Sequence, residues 1–172
     1  TATTYAGGWY LGTNTNCTAV NNKAPQAVFG STTADTHINC LLLNNKNTGG
    51  TIVGFDNKAA SGIKIFRNNA YDVAHPTITG GAGSDIDTAT CIQNLTIEQA
   101  KIEVPSFVGV ATTEEQLQEL HEYKEDILTN LKPKAGSILK GAGVNNTTYP
   151  NPTDYEGTER PEASTIGILE GE

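Results

Sequence analysis

The side chains with chemical potential are few. Three cysteines stand at Cys17, Cys40 and Cys91, and three histidines at His37, His75 and His121. An odd cysteine count leaves one thiol free, bonded to another chain, or bonded to a segment outside this sequence. No Cys-x-x-Cys or His-Glu-x-x-His spacing occurs, so a zinc site is not expected. Cys40, His75 and Asp72 can be drawn as a thiol triad, but a reactive thiolate needs an electropositive niche and few cations lie near it in the chain. Glu122, Glu125 and Asp126 read as a solvated helix face rather than paired catalytic carboxylates. There is no Gly-x-Ser-x-Gly nucleophile elbow. Residues 80–87, Gly-Gly-Ala-Gly-Ser-Asp-Ile-Asp, match one glycine-rich calcium turn. Calcium in that arrangement takes oxygens from stacked neighbouring copies, and no second copy exists, so a loop is expected there. The expectation is a non-enzymatic protein without metal or cofactor.

Composition says more about setting than about activity. The 172 residues suffice for one domain with a core. Charged residues make up 17%, against about 25% in typical domains, and Asn, Thr and Gly take their place. The net charge of -8, with Lys and Arg scattered singly, disfavours a nucleic-acid partner. No apolar run approaches the roughly 18 residues of a membrane span. The chain has no Met and no signal-like start, as a mature or cleaved product would. Four glycosylation sequons begin at Asn16, Asn94, Asn145 and Asn146. With the cysteines, they point to an extracellular, cell-surface location.

The elements that would position these residues are short, with one exception. Trp9-Tyr10-Leu11 reads as a packed anchor near the start. Ala27-Val28-Phe29, Cys40 to Leu43, Thr51 to Phe55 and Gly62 to Phe66 read as strands separated by Asn- and Gly-rich turns. Together they predict a small antiparallel sheet between residues 40 and 80. Residues 112–132 predict a helix, capped at Thr112 or Thr113, striped by Leu117, Leu120, Ile127 and Leu131, and stopped at Pro133. The fold class expected is therefore α+β: a small antiparallel sheet and loop-rich lobes packed against helices, with most of the helical scaffold outside this chain. The whole chain, 1–172, is expected to form part of one extracellular domain. Within it lie a β/loop lobe over 1–110, a helix over 111–133, an exposed loop over 134–162 and the start of a further element over 163–172.

The cysteine spacing, the run Thr48-Gly-Gly-Thr-Ile52 and the closing Thr165-Ile-Gly-Ile-Leu-Glu-Gly171 resemble the head region of trypanosome variant surface glycoproteins of class A type. The resemblance implies that Cys17 pairs with Cys91 and holds the 1–110 lobe. It also implies that Cys40 bonds to another fragment of the same protein. That family is built on two long antiparallel helices, which this chain lacks at its start. Thr1 would then lie just past the hairpin, and the C-terminal domain and lipid anchor would also lie outside. Also implied are a homodimeric, glycosylphosphatidylinositol-anchored coat glycoprotein and antigenic variation that evades host antibodies. Loops 18–37, 44–50 and 77–90 would be the epitopes. The residues alone leave an alternative: a secreted adhesin or filament subunit whose β-rich fold binds a glycan or a neighbouring subunit through strand edges.

Overall fold

Asparagine sets the path of the chain. Asn16, Asn39 and Asn68 have φ of 52°, 55° and 52°, and Asn21 and Asn44 have 57° and 54°. Left-handed backbone costs most residues about 1–2 kcal/mol, and Asn enters it most readily after Gly because its short amide bonds locally. Each of these residues turns a corner between two short extended runs. The computed structural model describes residues 12–21, 23–24, 29–31, 35–47, 49–50, 55–57, 63–72, 80–103, 130–145, 147–148 and 150–171.

The runs repeat in space. The first circuit holds β1 (Thr13–Thr15), β2 (Thr18–Val20), β3 (Lys23–Ala24) and β4 (Phe29–Ser31). The second holds β5 (Asp35–Ile38), β6 (Leu41–Leu43), β7 (Lys46–Asn47) and β8 (Phe55–Asn57). The third contains β9 (Ile63–Arg67) and β10 (Ala70–Tyr71), and the fourth begins with β11 (Asp85–Asp87). Each strand pairs in parallel with its counterpart one circuit away, giving the orders β1-β5-β9-β11, β10-β6-β2, β3-β7 and β4-β8. Ile92 continues the second sheet through a parallel bridge to Ala70. The chain is thus wound into stacked coils, a β-solenoid in which each coil rests on its neighbours.

This overturns the expected antiparallel sheet. The described sheets are parallel throughout, and helix α1 (Ile97–Ala100) follows the last described strand instead of joining two. Two of the expected strands do form, around 41–43 and 63–67, but they pair at long range rather than through hairpins. The error has a physical source. A run such as Leu41-Leu42-Leu43 is apolar on both faces, which is the signature of a parallel strand covered on both sides.

Those two faces build two cores. Leu42 lies in register with Ala19 and Tyr71, all buried, and Phe66 packs against the rings of both His37 and Tyr71 inside the coil. Leu41 and Leu43 point the other way. They join Ala70, Leu95, Ala100, Ile102, Leu139 and Ile166 in a second cluster outside the stack. That outer core is roofed by residues 130–171, which among the described residues carry almost no regular structure. Helix α1 starts in a capping box in which Thr96 and Gln99 satisfy one another's backbone N–H groups, and it contributes Ala100 to the roofed cluster.

Ser137, Leu139, Asp154 and Arg160 are buried within the stretch expected as exposed loop, and Ile166 and Leu169 are buried in the last ten residues. Residues 112–129 of the expected helix and the anchor Trp9-Tyr10-Leu11 lie outside the described residues; of the rest, Asn130 is helical and Leu131 packs on the outer core.

Candidate functional site: a stacked corner of thiols and amides

The corner between the first two sheets gathers most of the polar chemistry. Asn16, Asn39 and Asn68 occupy one row, and the residues that follow them, Cys17, Cys40 and Asn69, occupy the next. Cys91 continues that second row in the fourth coil. The Leu41 N–H donates to the Cys17 carbonyl at 2.8 Å, the Ala70 N–H to the Cys40 carbonyl at 2.9 Å and the Ile92 N–H to the Asn69 carbonyl at 2.8 Å. The three cysteines are therefore one structural position repeated. Where the third coil has Asn69 in place of cysteine, its amide replaces the thiol: Oδ1 accepts from Cys40 N–H at 2.9 Å and Nδ2 donates to the His37 carbonyl at 2.9 Å.

All three thiols are free, which corrects the expected Cys17–Cys91 disulfide. Neighbouring strands stand about 4.8 Å apart, so Cys17 and Cys91, three coils apart, lie far beyond the roughly 7 Å that a disulfide can span between Cα atoms. The expected partner of Cys40 is a segment outside this chain. Cys40 is fully buried, and its thiol donates to the Asn14 carbonyl at 3.3 Å. Burial raises the Cys40 pKa well above its ordinary value, with the neighbouring Cys17 adding to the effect. Cys17 is half-buried, and its pKa is lowered chiefly by a hydrogen bond with the Cys40 thiol. Burial pushes Cys91 up; its sulfur accepts from Asn69 N–H at 3.4 Å and meets the Tyr71 hydroxyl.

The outer side of the corner anchors the roof. Asn39 Nδ2 donates to the Val144 carbonyl at 2.6 Å, and its Oδ1 accepts from Val144 N–H at 3.0 Å. Gly167 N–H donates to the Asn39 carbonyl, and Ile168 N–H to Thr18 Oγ1. Gly143 sits so close that an added Cβ would come within 3.0 Å of Asn39 Oδ1 and of both Ser164 oxygens. The roof itself is tied by a buried ion pair. Arg160 donates to Glu170 at 2.5 Å and also to the carbonyls of Thr153, Thr165, Gly167 and Ile168. Asp154 accepts from the backbone N–H groups of Glu156, Thr158 and Glu170. Burial alone would raise the Asp154 carboxyl, but those N–H groups and Arg160 outweigh it and hold the pKa below its ordinary value.

The sequons divide. Asn16 is buried at a left-handed corner, and its Nδ2, the atom a glycan would join, has under 1 Å² exposed. Asn94 and Asn145 are exposed, and Asn146 lies outside the described residues. The glycoprotein and lipid-anchor expectations gain no support. Asn16 is closed to modification, and among the described residues no helix is long and apolar enough to cross a membrane. His75, Glu122, Glu125 and Asp126 lie outside the described residues; Asp72, the other partner drawn with Cys40 and His75, accepts from Asn44 N–H at 2.5 Å. His37 packs inside the coil, and His121 is not described. In the glycine-rich loop, Asp85 belongs to β11 and pairs with Arg67 at 2.8 Å. Among the described residues no group of three or more metal-ligating side chains gathers.

Sequence reasoning missed the repeat that explains the cysteines. Thr13-Asn-Thr-Asn-Cys-Thr-Ala-Val-Asn-Asn-Lys23 and Thr36-His-Ile-Asn-Cys-Leu-Leu-Leu-Asn-Asn-Lys46 share Thr, Asn, Cys, Asn, Asn and Lys at matching places. Their offset is the 23-residue separation of the contacts between Asn14 and His37 and between Asn21 and Asn44. The Arg160 knot has no comparable signature, because its partners are mostly backbone carbonyls. No protein-family model, no curated protein and no solved structure matches the chain.

Proposed function

We propose that this chain is a non-catalytic binding module of a secreted or cell-surface protein, an adhesin-like or filament-forming β-solenoid that engages a glycan or a neighbouring subunit. The observation that carries the reading is the parallel stacking of short coils through matched rows of residues. A stack of this kind is a rigid, quasi-linear scaffold that displays rows of side chains about 4.8 Å apart. Sugars and strand edges are ligands suited to such rows, and neither requires a catalytic group. The Asn- and Thr-rich, acidic surface agrees with display outside the cell. The coat reading drew its strength from the cysteine spacing, and the coil period offers another account of the step from Cys17 to Cys40.

Two measurements test the proposal together. Velocity sedimentation over a wide concentration range reads self-association, and a glycan array reads carbohydrate capture. Concentration-dependent assembly or saturable capture of one glycan class is expected. A monomer at every concentration that retains no glycan overturns the proposal.

A further inference from the structure

The corner ladder places two of its three thiols side by side and isolates the third. We propose that Cys17 and Cys40 form a thiol–disulfide exchange site, in which a low-molecular-weight disulfide converts the stacked pair into a covalent clip between the first two coils.

Four observations support it. Thr18 is in register with Leu41, and Leu41 N–H bonds to the Cys17 carbonyl, so the residues just before them are direct neighbours across the stack. Adjacent strands bring such Cα atoms to about 4.8 Å, within the roughly 4.4–6.8 Å that disulfides occupy. Cys17 is half-buried and open to a small reagent, whereas Cys40 is fully buried and can be reached only by the thiol beside it. The Cys40 thiol beside it favours ionisation at Cys17, the less buried member. Cys91 has no such neighbour, because the adjacent coil presents Asn69 at this position and holds the Cys91 sulfur through its own N–H.

The chemistry balances without any other oxidant. The Cys17 thiolate attacks one sulfur of the reagent disulfide, forming a mixed disulfide and releasing one small thiolate. The Cys40 thiol gives up its proton to that leaving thiolate or to solvent, then attacks Cys17 Sγ and expels the second small thiol. The protein dithiol is oxidised, and the reagent disulfide is reduced to two thiols.

The test uses the whole chain exposed to oxidised glutathione over a graded ratio to reduced glutathione, followed by alkylation and peptide mapping. The expected product is a peptide pair joined through Cys17 and Cys40, with Cys91 alkylated as a free thiol. The clip should also raise the denaturant midpoint, and reduction should reverse the rise. Cys91→Ser should leave the cross-link unchanged, while Cys40→Ala should stop the reaction at a glutathione adduct on Cys17. Because Cys40→Ala enlarges a buried site, Cys17→Ser serves as a second variant, in which neither adduct nor cross-link should form at the corner. A stable adduct on Cys17 in the unsubstituted protein overturns the proposal. So does a cross-link that includes Cys91, or alkylation of all three cysteines at every ratio.

Discussion

The coil stack and the roof over it are held by opposite strategies. Among the described residues, 12–72 repeat one arrangement: Asn at the corner, Cys or Asn after it, and a short strand that lends its backbone to neighbouring coils. Its stability is distributed over many equivalent ladder contacts. Residues 130–171 have almost no regular structure among those described, and they depend on a few concentrated nodes, chiefly Arg160 with Glu170, Asp154 with three N–H groups, and Val144 on Asn39. A repeating element can lose one contact and keep its neighbours. An irregular segment loses its shape when a node goes.

The largest expected effect follows from that contrast. Arg160→Met leaves Glu170 buried without its cation and takes a donor from four carbonyls, of which only that of Ile168 keeps a second one, Tyr155 N–H, a loss of about 3–5 kcal/mol. Urea unfolding should show it, and limited proteolysis should place the first cuts in 130–171 while the stack stays resistant. Replacing both partners, Arg160→Met with Glu170→Leu, should recover part of the loss, because the uncompensated buried charge is gone. Simultaneous exposure of both regions in the single variant would erase the distinction.

Leucines on opposite faces of β6 probe the two cores separately. Leu42→Ala and Leu41→Ala each delete a buried side chain, at about 2–5 kcal/mol. Leu42→Ala should loosen the stack itself, read as faster amide exchange in β2, β6 and β10. Leu41→Ala should release the roof first. Asn39→Ala comes next, at about 1–3 kcal/mol, since it removes two bonds to Val144 and also puts a Cβ-bearing residue without an amide at positive φ. Asn39→Gly restores the backbone freedom alone, so the difference between the two variants, measured in urea, isolates the corner strain.

Much of the stack was written in the sequence, and the roof was not. The repeat of Asn-Cys and Asn-Asn-Lys at a 23-residue offset names the corner residues and the parallel register directly, once a period is sought. Reading the segments singly hid it, because strands of three residues bounded by Asn and Gly look the same in a hairpin and in a coil. The third coil hid it further: its offset to the second grows to 29, and Asn69 replaces cysteine. For the roof there is no period to find. Nothing in Arg160 or Asp154 as residue types reveals that backbone groups from Thr153 to Glu170 will close around them.

Acid should separate the two regions by sign. Asp154 is held below the ordinary carboxylate value of about 3.9; burial opposes this, but the N–H groups of Glu170, Thr158 and Glu156, with Arg160, prevail. The stabilisation this gives the roof is fully present above the unfolded-state value and is lost as pH falls through the lower folded value. Asp72, in the stack, is shifted the other way: burial raises it, against the opposing pull of Asn44 N–H and Lys46. Its ionised form costs the folded stack free energy, so protonation as pH falls through that raised value removes the cost and strengthens the stack. Region-resolved amide exchange between neutral pH and about pH 3 should therefore show protection falling in 150–171 while it holds or rises around Asn44 and Asp72. Asp154→Asn should abolish the acid response of the roof, and Asp72→Asn should abolish that of the stack. Parallel loss of protection in both regions of the unsubstituted protein would mean that the roof and the stack open as a single unit, and the contrast between them would fail.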